Sequence, residues 1–381
     1  MIIQYMLSCP EGDINLGSDQ LSLPFKLTPS KIHPSMTLGD YFEAIKKVLF
    51  KDDFLGINNL LKMHPKSRNR PENILKILIK TEKHGALSHV ASLEILTEND
   101  SFKFVISTEL PINNSSWLTH EFALLKNLRK DFKLPYFPQP FMLGEVVCHS
   151  GINQQRLIML FSEWFEDYHE WHLALNAEGM TVVYLWDQIR GHHFVSLEEA
   201  FKIIRQISEI LTLYYNPFTY HQICKWHHAA GDFAVSCRNG DVDVKLTTIR
   251  RYESIMPLIS EDEPDPIIAG IYFFLNLTIK IRLDKTDGVG DFIWADSFIL
   301  EAAIKGFFDA LNIIEQKGQH FAENAKKFLL LLKSFDKNEL FQLLESLLPL
   351  YQECPEDFKA IQDRLRDHGT ELFEIIQNVQ L

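Results

Sequence analysis

Between residues 73 and 107 the hydrophobic pattern shortens to apolar runs of strand type. Ile74, Ile77 and Ile79, then Val90 to Leu96, then Phe102 to Ile106 are separated by Lys83-His84-Gly85-Ala86 and by Glu98-Asn99-Asp100, which predicts an antiparallel meander. Trp117, Phe122, Leu124, Leu125 and Leu128 return to helical spacing over 117–130. Pro135, Pro138 and Pro140 break the chain, and 141–147 with 156–161 reads as a further hairpin. Ahead of the meander, Pro10, Pro24, Pro29 and Pro34 predict an irregular or extended entry over 1–35. Thr37 and Asp40 supply capping groups for a helix over 38–50. A second helix over 54–63 has to end before His64-Pro65, because a proline ring pushes the preceding residue away from helical angles.

Beyond Phe161 the character changes. Ser196, with Glu198 and Glu199 in the first turn, caps an amphipathic helix over 196–215. The segments 265–283, 296–317, 321–333, 337–350 and 355–378 are helical by the same spacing, and no internal repeat stands out. Strands, one helix, two strands, a linker and a mainly helical half predict an α+β chain with two lobes. Its expected parts are an N-terminal extension with short helices (1–72), a small β-rich lobe (73–163), a helical lobe carrying one hairpin (164–320) and a C-terminal helical extension (321–381).

Composition changes this picture little. Hydrophobic residues make up 46% and charged residues 23%, as in ordinary globular chains. The net charge of −13 argues against a nucleic-acid partner held by phosphate neutralisation, and Lys66, Arg68 and Arg70 read as a solvated loop. Cys9, Cys148, Cys224, Cys237 and Cys354 are scattered and form no CxxC pair, which fits free thiols in a reducing compartment. The apolar start Met1–Leu7 lacks the basic flank of a signal peptide, and no run of 18 apolar residues offers a membrane span. The expected location is the cytoplasm.

The chemistry concentrates after the 196–215 helix. Trp226-His227-His228-Ala229-Ala230-Gly231-Asp232 reads as a loop feeding the strand Phe233-Ala234-Val235, a turn at Arg238-Asn239-Gly240-Asp241 and a second strand, Val242–Leu246. Together with His120-Glu121-Phe122-Ala123-Leu124-Leu125 and the proline run 135–140, this loop resembles the protein-kinase-like fold, in its aminoglycoside and choline phosphotransferase branch. The resemblance spans residues 73–330. It implies a small antiparallel-sheet lobe, a mainly helical C-terminal lobe, and ATP with Mg²⁺ as cofactors. Phosphoryl transfer of that kind needs backbone donors and a cation on the phosphates, groups that hold Mg²⁺, and a carboxylate that orients the acceptor hydroxyl.

By this resemblance the phosphate-covering turn falls on Lys83 and Gly85, the phosphate-pairing lysine position on Ser107, and its helix glutamate partner on Glu121. Lys103 shares a strand face with Ser107 but lies about 13 Å away by the strand rise. The join that contacts nucleotide runs from Phe161 through Glu163 to Phe165, and the Tyr168–His172 cluster after it could stack on a ligand or pack between lobes. The base position holds His227, with His228 beside it. The first metal position holds Asp232, and Thr247 replaces the second metal acid. Arg250 or Arg251 could neutralise phosphate without metal, or be exposed charges flanking a strand. With lysine, base and second metal acid all replaced, the resemblance implies a kinase-like protein whose phosphotransfer is lost or strongly altered, acting as a ligand- or protein-binding module. The alternative is an atypical small-molecule phosphotransferase that uses ATP, with His227 or His228 as base and Asp232 on the metal.

Other chemistries fit less well. His192, His193, His221, His227 and His228 fall in one region, but no HExxH occurs and adjacent histidines point apart on a strand. There is no GxSxG, and Cys224 reads as a buried thiol. Gly288-Val289-Gly290 lacks the third glycine of a dinucleotide loop, and Asp284 and Asp287 read as solvated loop acids or as substrate-facing ones. The leucines from Leu329 to Leu348 give a wide apolar face, for covering the large lobe or for docking a partner.

Overall fold

The computed structural model describes the chain apart from residues 10–11, 29–30, 67–72, 85–87, 110–116, 151–152, 188–189, 229–230, 260–264, 287–289, 319–323 and 381. In chain order the elements are β1 (Ile2–Leu7), β2 (Ile14–Asn15), α1 (Ser18–Leu21), β3 (Pro24–Thr28), β4 (Lys31–Thr37), α2 (Leu38–Met63), β5 (Ile74–His84), β6 (Ser88–Thr97), β7 (Ser101–Glu109), α3 (Trp117–Phe132), β8 (Pro140–Ser150) and β9 (Asn153–Glu163). Then follow β10 (Glu170–Leu175), β11 (Thr181–Trp186), β12 (His193–Phe194), α4 (Leu197–Leu213), β13 (His221–Cys224), β14 (Phe233–Arg238), β15 (Asp241–Leu246) and β16 (Arg251–Ser254). The chain ends with α5 (Pro266–Lys280), β17 (Leu283–Lys285), β18 (Phe292–Trp294), α6 (Ser297–Gln316), α7 (Ala325–Ser334), α8 (Lys337–Glu345) and α9 (Pro355–Asn378). Two compact units result, Met1–Glu166 and Asp167–Leu381.

The first unit is built on a seven-stranded sheet in the order β2-β1-β5-β6-β7-β9-β8. The β5–β6–β7 meander and the β8–β9 hairpin are antiparallel, as their apolar runs predict. The sheet as a whole is mixed rather than antiparallel, because β1 lies parallel to β5, from Ile2 beside Lys76 to Leu7 beside Thr81. Of the two readings of the entry segment, irregular or extended, the extended one holds: it supplies β1 to β4. Pro24 opens β3, a position where a missing N–H is tolerated.

α2 lies across one face of this sheet. Tyr41, Phe42, Ile45 and Leu49 pack with Ile77, Ile79, Leu93, Phe104 and Phe161 in one buried cluster. The helix starts on a reciprocal cap, in which Thr37 Oγ1 accepts the Asp40 N–H (3.1 Å) and the Asp40 carboxylate accepts the Thr37 N–H (2.9 Å). One helix runs where two are predicted, and the expected break survives in its backbone. Asp52 and Phe54 take φ angles of 48° and 68°, a region that few side chains adopt. In β7, Phe102, Phe104 and Ile106 are buried toward α2, while Lys103, Val105 and Ser107 alternate to the other face. α3 packs against β7, β8 and β9, and the buried Glu109 carboxylate accepts the Leu118 N–H (3.2 Å), satisfying a first-turn donor of that helix.

The second unit is mainly helical around short ladders: β10–β11–β12, β13–β16, β14–β15 and β17–β18. α4 begins at Ser196, whose N–H donates to Glu199 while its hydroxyl accepts the Glu199 N–H, the predicted cap. α4 and α6 cross closely. Ser208 Oγ donates to the Ala303 carbonyl (2.6 Å), and a Cβ added at Gly306 would stand 1.9 Å from the Arg205 carbonyl oxygen. Gly306→Ala has to force these helices apart, so a loss of about 2–3 kcal/mol is expected. It would be read as a lower urea midpoint at unchanged slope; a wild-type midpoint would mean that the helices do not touch there. Among the described residues, no helix is long and apolar enough to cross a membrane.

Candidate functional site

β14 and β15 form the hairpin expected after the motif loop, in register from Phe233 opposite Leu246 to Arg238 opposite Asp241. Asn239 and Gly240 make its turn, both at positive φ (53° and 83°), the handedness that suits a two-residue hairpin loop. At the open end the Thr247 N–H donates to the Asp232 carbonyl (2.7 Å). Asp232 and Thr247, the two residues expected at metal-holding positions, are therefore neighbours. The threonine hydroxyl, however, turns to the backbone, donating to the carbonyls of Gly231 (3.0 Å) and Asp232 (3.1 Å).

Asp232 is 1% exposed. Its Oδ2 accepts the His227 N–H (2.8 Å), and its Oδ1 accepts from the Arg250 guanidinium (2.7 Å). Burial raises its pKa, against the lowering pull of Arg250 and of the His227 amide. A second nitrogen of Arg250 donates to the Lys225 carbonyl (3.3 Å), so one guanidinium ties both ends of the 225–232 loop. Arg250 is thus an internal counterion to the one acid of the loop. Among the described residues, no group of three or more His, Cys, Asp or Glu side chains is arranged to hold a metal ion.

His228 is fully enclosed. Its Nε2 donates to the Ile281 carbonyl (3.1 Å), and its ring packs on Trp171 and Trp226, 5.0 and 5.3 Å between centroids. Burial pushes its pKa down to about 3, with the Ile281 carbonyl opposing. Burial, then Lys280, His228 and Arg250, push His227 down to about 2. A general base works best with a pKa near the operating pH, so neither imidazole has the basicity the role needs. Lys280, at the end of α5, stands over the Trp226 ring at 5.6 Å, and burial lowers its pKa. Sequence reasoning missed this residue, whose one signal was being the basic end of a very apolar helix.

The remaining candidates belong to the first unit. Strand register places Lys83, Val90, Ser107 and Leu160 in one row across β5, β6, β7 and β9. Lys83 and Ser107 therefore share a sheet face, two strands or about 10 Å apart. Lys103 is engaged elsewhere, its ammonium 4.0 Å over the Trp164 ring. Glu121 is buried within α3. Glu163 accepts the Gln139 N–H (3.0 Å) and donates its own N–H to the Gln139 carbonyl (2.9 Å), so its side chain fastens the start of β8. Phe165 is half-buried. Gly85 lies outside the described residues, as do Arg68, Arg70, Asp287, Gly288 and Val289.

One rival expectation is corrected: Asp284 is not a solvated loop acid but is fully buried and accepts the N–H groups of Leu173 (2.9 Å) and Lys285 (2.8 Å). The Cys224 thiol is pushed up to about 12 by burial and by Glu253, which keeps it protonated and a poor nucleophile. Compared with known proteins, the chain matches no family model and no curated sequence.

Proposed function

We propose that this chain is a kinase-like protein that has lost phosphotransfer and works as a ligand- or protein-binding module. Element order supports the kinase-like part. Three antiparallel strands, a helix and two further strands (β5–β6–β7–α3–β8–β9) fall in the first unit, and a long amphipathic helix, a loop and a hairpin (α4, 225–232, β14–β15) fall in the second. In this reading the two units are the small and the large lobe.

The observation that carries the loss of activity is the Asp232–Arg250 pair. Mg²⁺ demands several oxygen ligands in near-octahedral array. Here the carboxylate already holds a fixed cation, the Thr247 hydroxyl is committed to carbonyls, and the nearby imidazoles are neutral and weakly basic. A thermal-shift titration with ATP, with and without Mg²⁺, paired with an ADP-release assay, tests this. A ligand that binds only the folded state must raise the melting point as its concentration rises. Mg²⁺ is expected to add nothing to any shift that ATP produces, and ADP release to stay at the buffer rate. A Mg²⁺-dependent shift with ADP release would establish the atypical phosphotransferase instead, with Asp232 on the metal and His227 or His228 as base.

A further inference from the structure

The β10–β11–β12 meander has two unlike faces. Trp171, Leu173, Val183 and Leu185 point inward and are at most 2% exposed. On the opposite face, His172, Tyr184 and Phe194 form one row across the three strands, and Glu170 and Trp186 form the next. The rings touch in sequence: Tyr184 and Phe194 lie 4.9 Å apart, His172 and Trp186 4.7 Å apart, and His192 stands 6.2 Å from Tyr184 and 6.1 Å from Trp186. Phe194 is 56% exposed. Beside the rings opens a hollow of about 440 Å³, lined by Ala174, Leu175, Tyr184, Phe194 and Thr286.

We infer that this aromatic face binds proline-rich peptide segments flanked by basic residues. Among the described residues, neither the Tyr184 hydroxyl nor the Trp186 indole N–H meets a protein acceptor. His172 is no donor to this surface, being 1% exposed with its Nε2 3.4 Å from the Glu170 carboxylate. The surface thus presents ring faces together with hydrogen-bond donors. A polyproline helix presents the complement: apolar pyrrolidine rings and carbonyl acceptors, with no N–H of its own. It is also preformed, so docking on aromatic rings costs little ordering entropy. A single-stranded nucleic acid would need cations along its backbone, which a chain of net charge −13 does not favour. The basic flank follows from charge: Glu178 is exposed at the β10–β11 tip, while Glu170, the register partner of Trp186, is already engaged 3.4 Å from His172 Nε2. None of these residues belongs to the motif loop, so the proposal is independent of the kinase-like reading.

Fluorescence polarisation with the full chain tests it. The probe is a labelled oligoproline peptide with Lys-Arg at both ends, and the control has glycine and serine in place of proline. Saturable binding of the proline peptide is expected, with the control at least about tenfold weaker. Tyr184→Phe keeps the ring and removes the donor, and should weaken binding about threefold to tenfold. Phe194→Ser, at an exposed position that leaves the melting point in place, should weaken it more than about tenfold. No saturable binding, equal binding of the two peptides, or full affinity in both variants would each overturn the assignment.

Discussion

Between about pH 6.5 and about pH 4.5 the protein is expected to lose about 2 kcal/mol of folding stability through His228 alone. In the unfolded chain this imidazole takes a proton near its ordinary pKa. In the folded protein burial holds the pKa down to about 3, and Lys280 and His172 push it the same way. Below about pH 6.5 the unfolded state therefore binds a proton that the folded state refuses, which costs about 1.4 kcal/mol per pH unit until about pH 3. His368 acts with the same sign: it is fully buried, sits beside the Arg282 guanidinium (3.4 Å) and Thr278 Oγ1 (3.2 Å), and has its pKa lowered by that burial. Asp232 works in the opposite sense, since burial raises its pKa, but only near and above the ordinary carboxyl range. Against a total stability of about 5–15 kcal/mol the histidine effect is large. It should lower the melting point by roughly 3–5 °C, measured by circular dichroism at the two pH values. His228→Gln, whose amide can still donate to Ile281, should flatten this dependence. If the variant and the wild type fall in parallel, His228 is not the acid-sensitive group.

How much of this was legible in the sequence differs from element to element. Where one face of an element is apolar and the other polar, the pattern reads directly. The caps of α2 and α4, the β5–β6–β7 meander and the Asn239-Gly240 hairpin all belong to this class. The β10–β11–β12 meander does not, because its outward residues are themselves His172, Tyr184, Trp186 and Phe194. A sheet with rings on its outer face loses the apolar–polar contrast that marks a strand. The parallel β1–β5 pairing was hidden for another reason: it joins residues about 70 positions apart, and nothing local to Met1–Leu7 names its partner. At the motif loop, the resemblance put Asp232 and Thr247 at the two metal positions, while the third member, Arg250, stood as a phosphate-neutralising cation or an exposed charge flanking a strand. Its partner could be identified only in three dimensions, since a guanidinium serves an external anion and an internal carboxylate equally well.

Replacing Asp232 is expected to damage stability before any chemistry. A carboxylate held in readiness for a ligand is usually a burden on the fold, and neutralising it leaves stability unchanged or raises it. Asp232 instead closes the loop from both sides, through the His227 N–H and the Arg250 guanidinium. Asp232→Ala leaves the amide without its acceptor and the guanidinium without its counterion. Breaking a buried pair in this way costs about 3–5 kcal/mol, and the lower end applies because the Arg250 side chain keeps 23% exposure. Arg250→Met should be comparably harmful, since it strands the acid at a position that is only 1% exposed. The double variant should lose less than the two single losses added together, with a coupling of about 1–3 kcal/mol, because each change removes the group the other had left unpaired. Urea midpoints of the three variants provide the measurement. An Asp232→Ala protein as stable as wild type would mean that the pair does not hold the loop, and would return Asp232 to the role of a metal ligand.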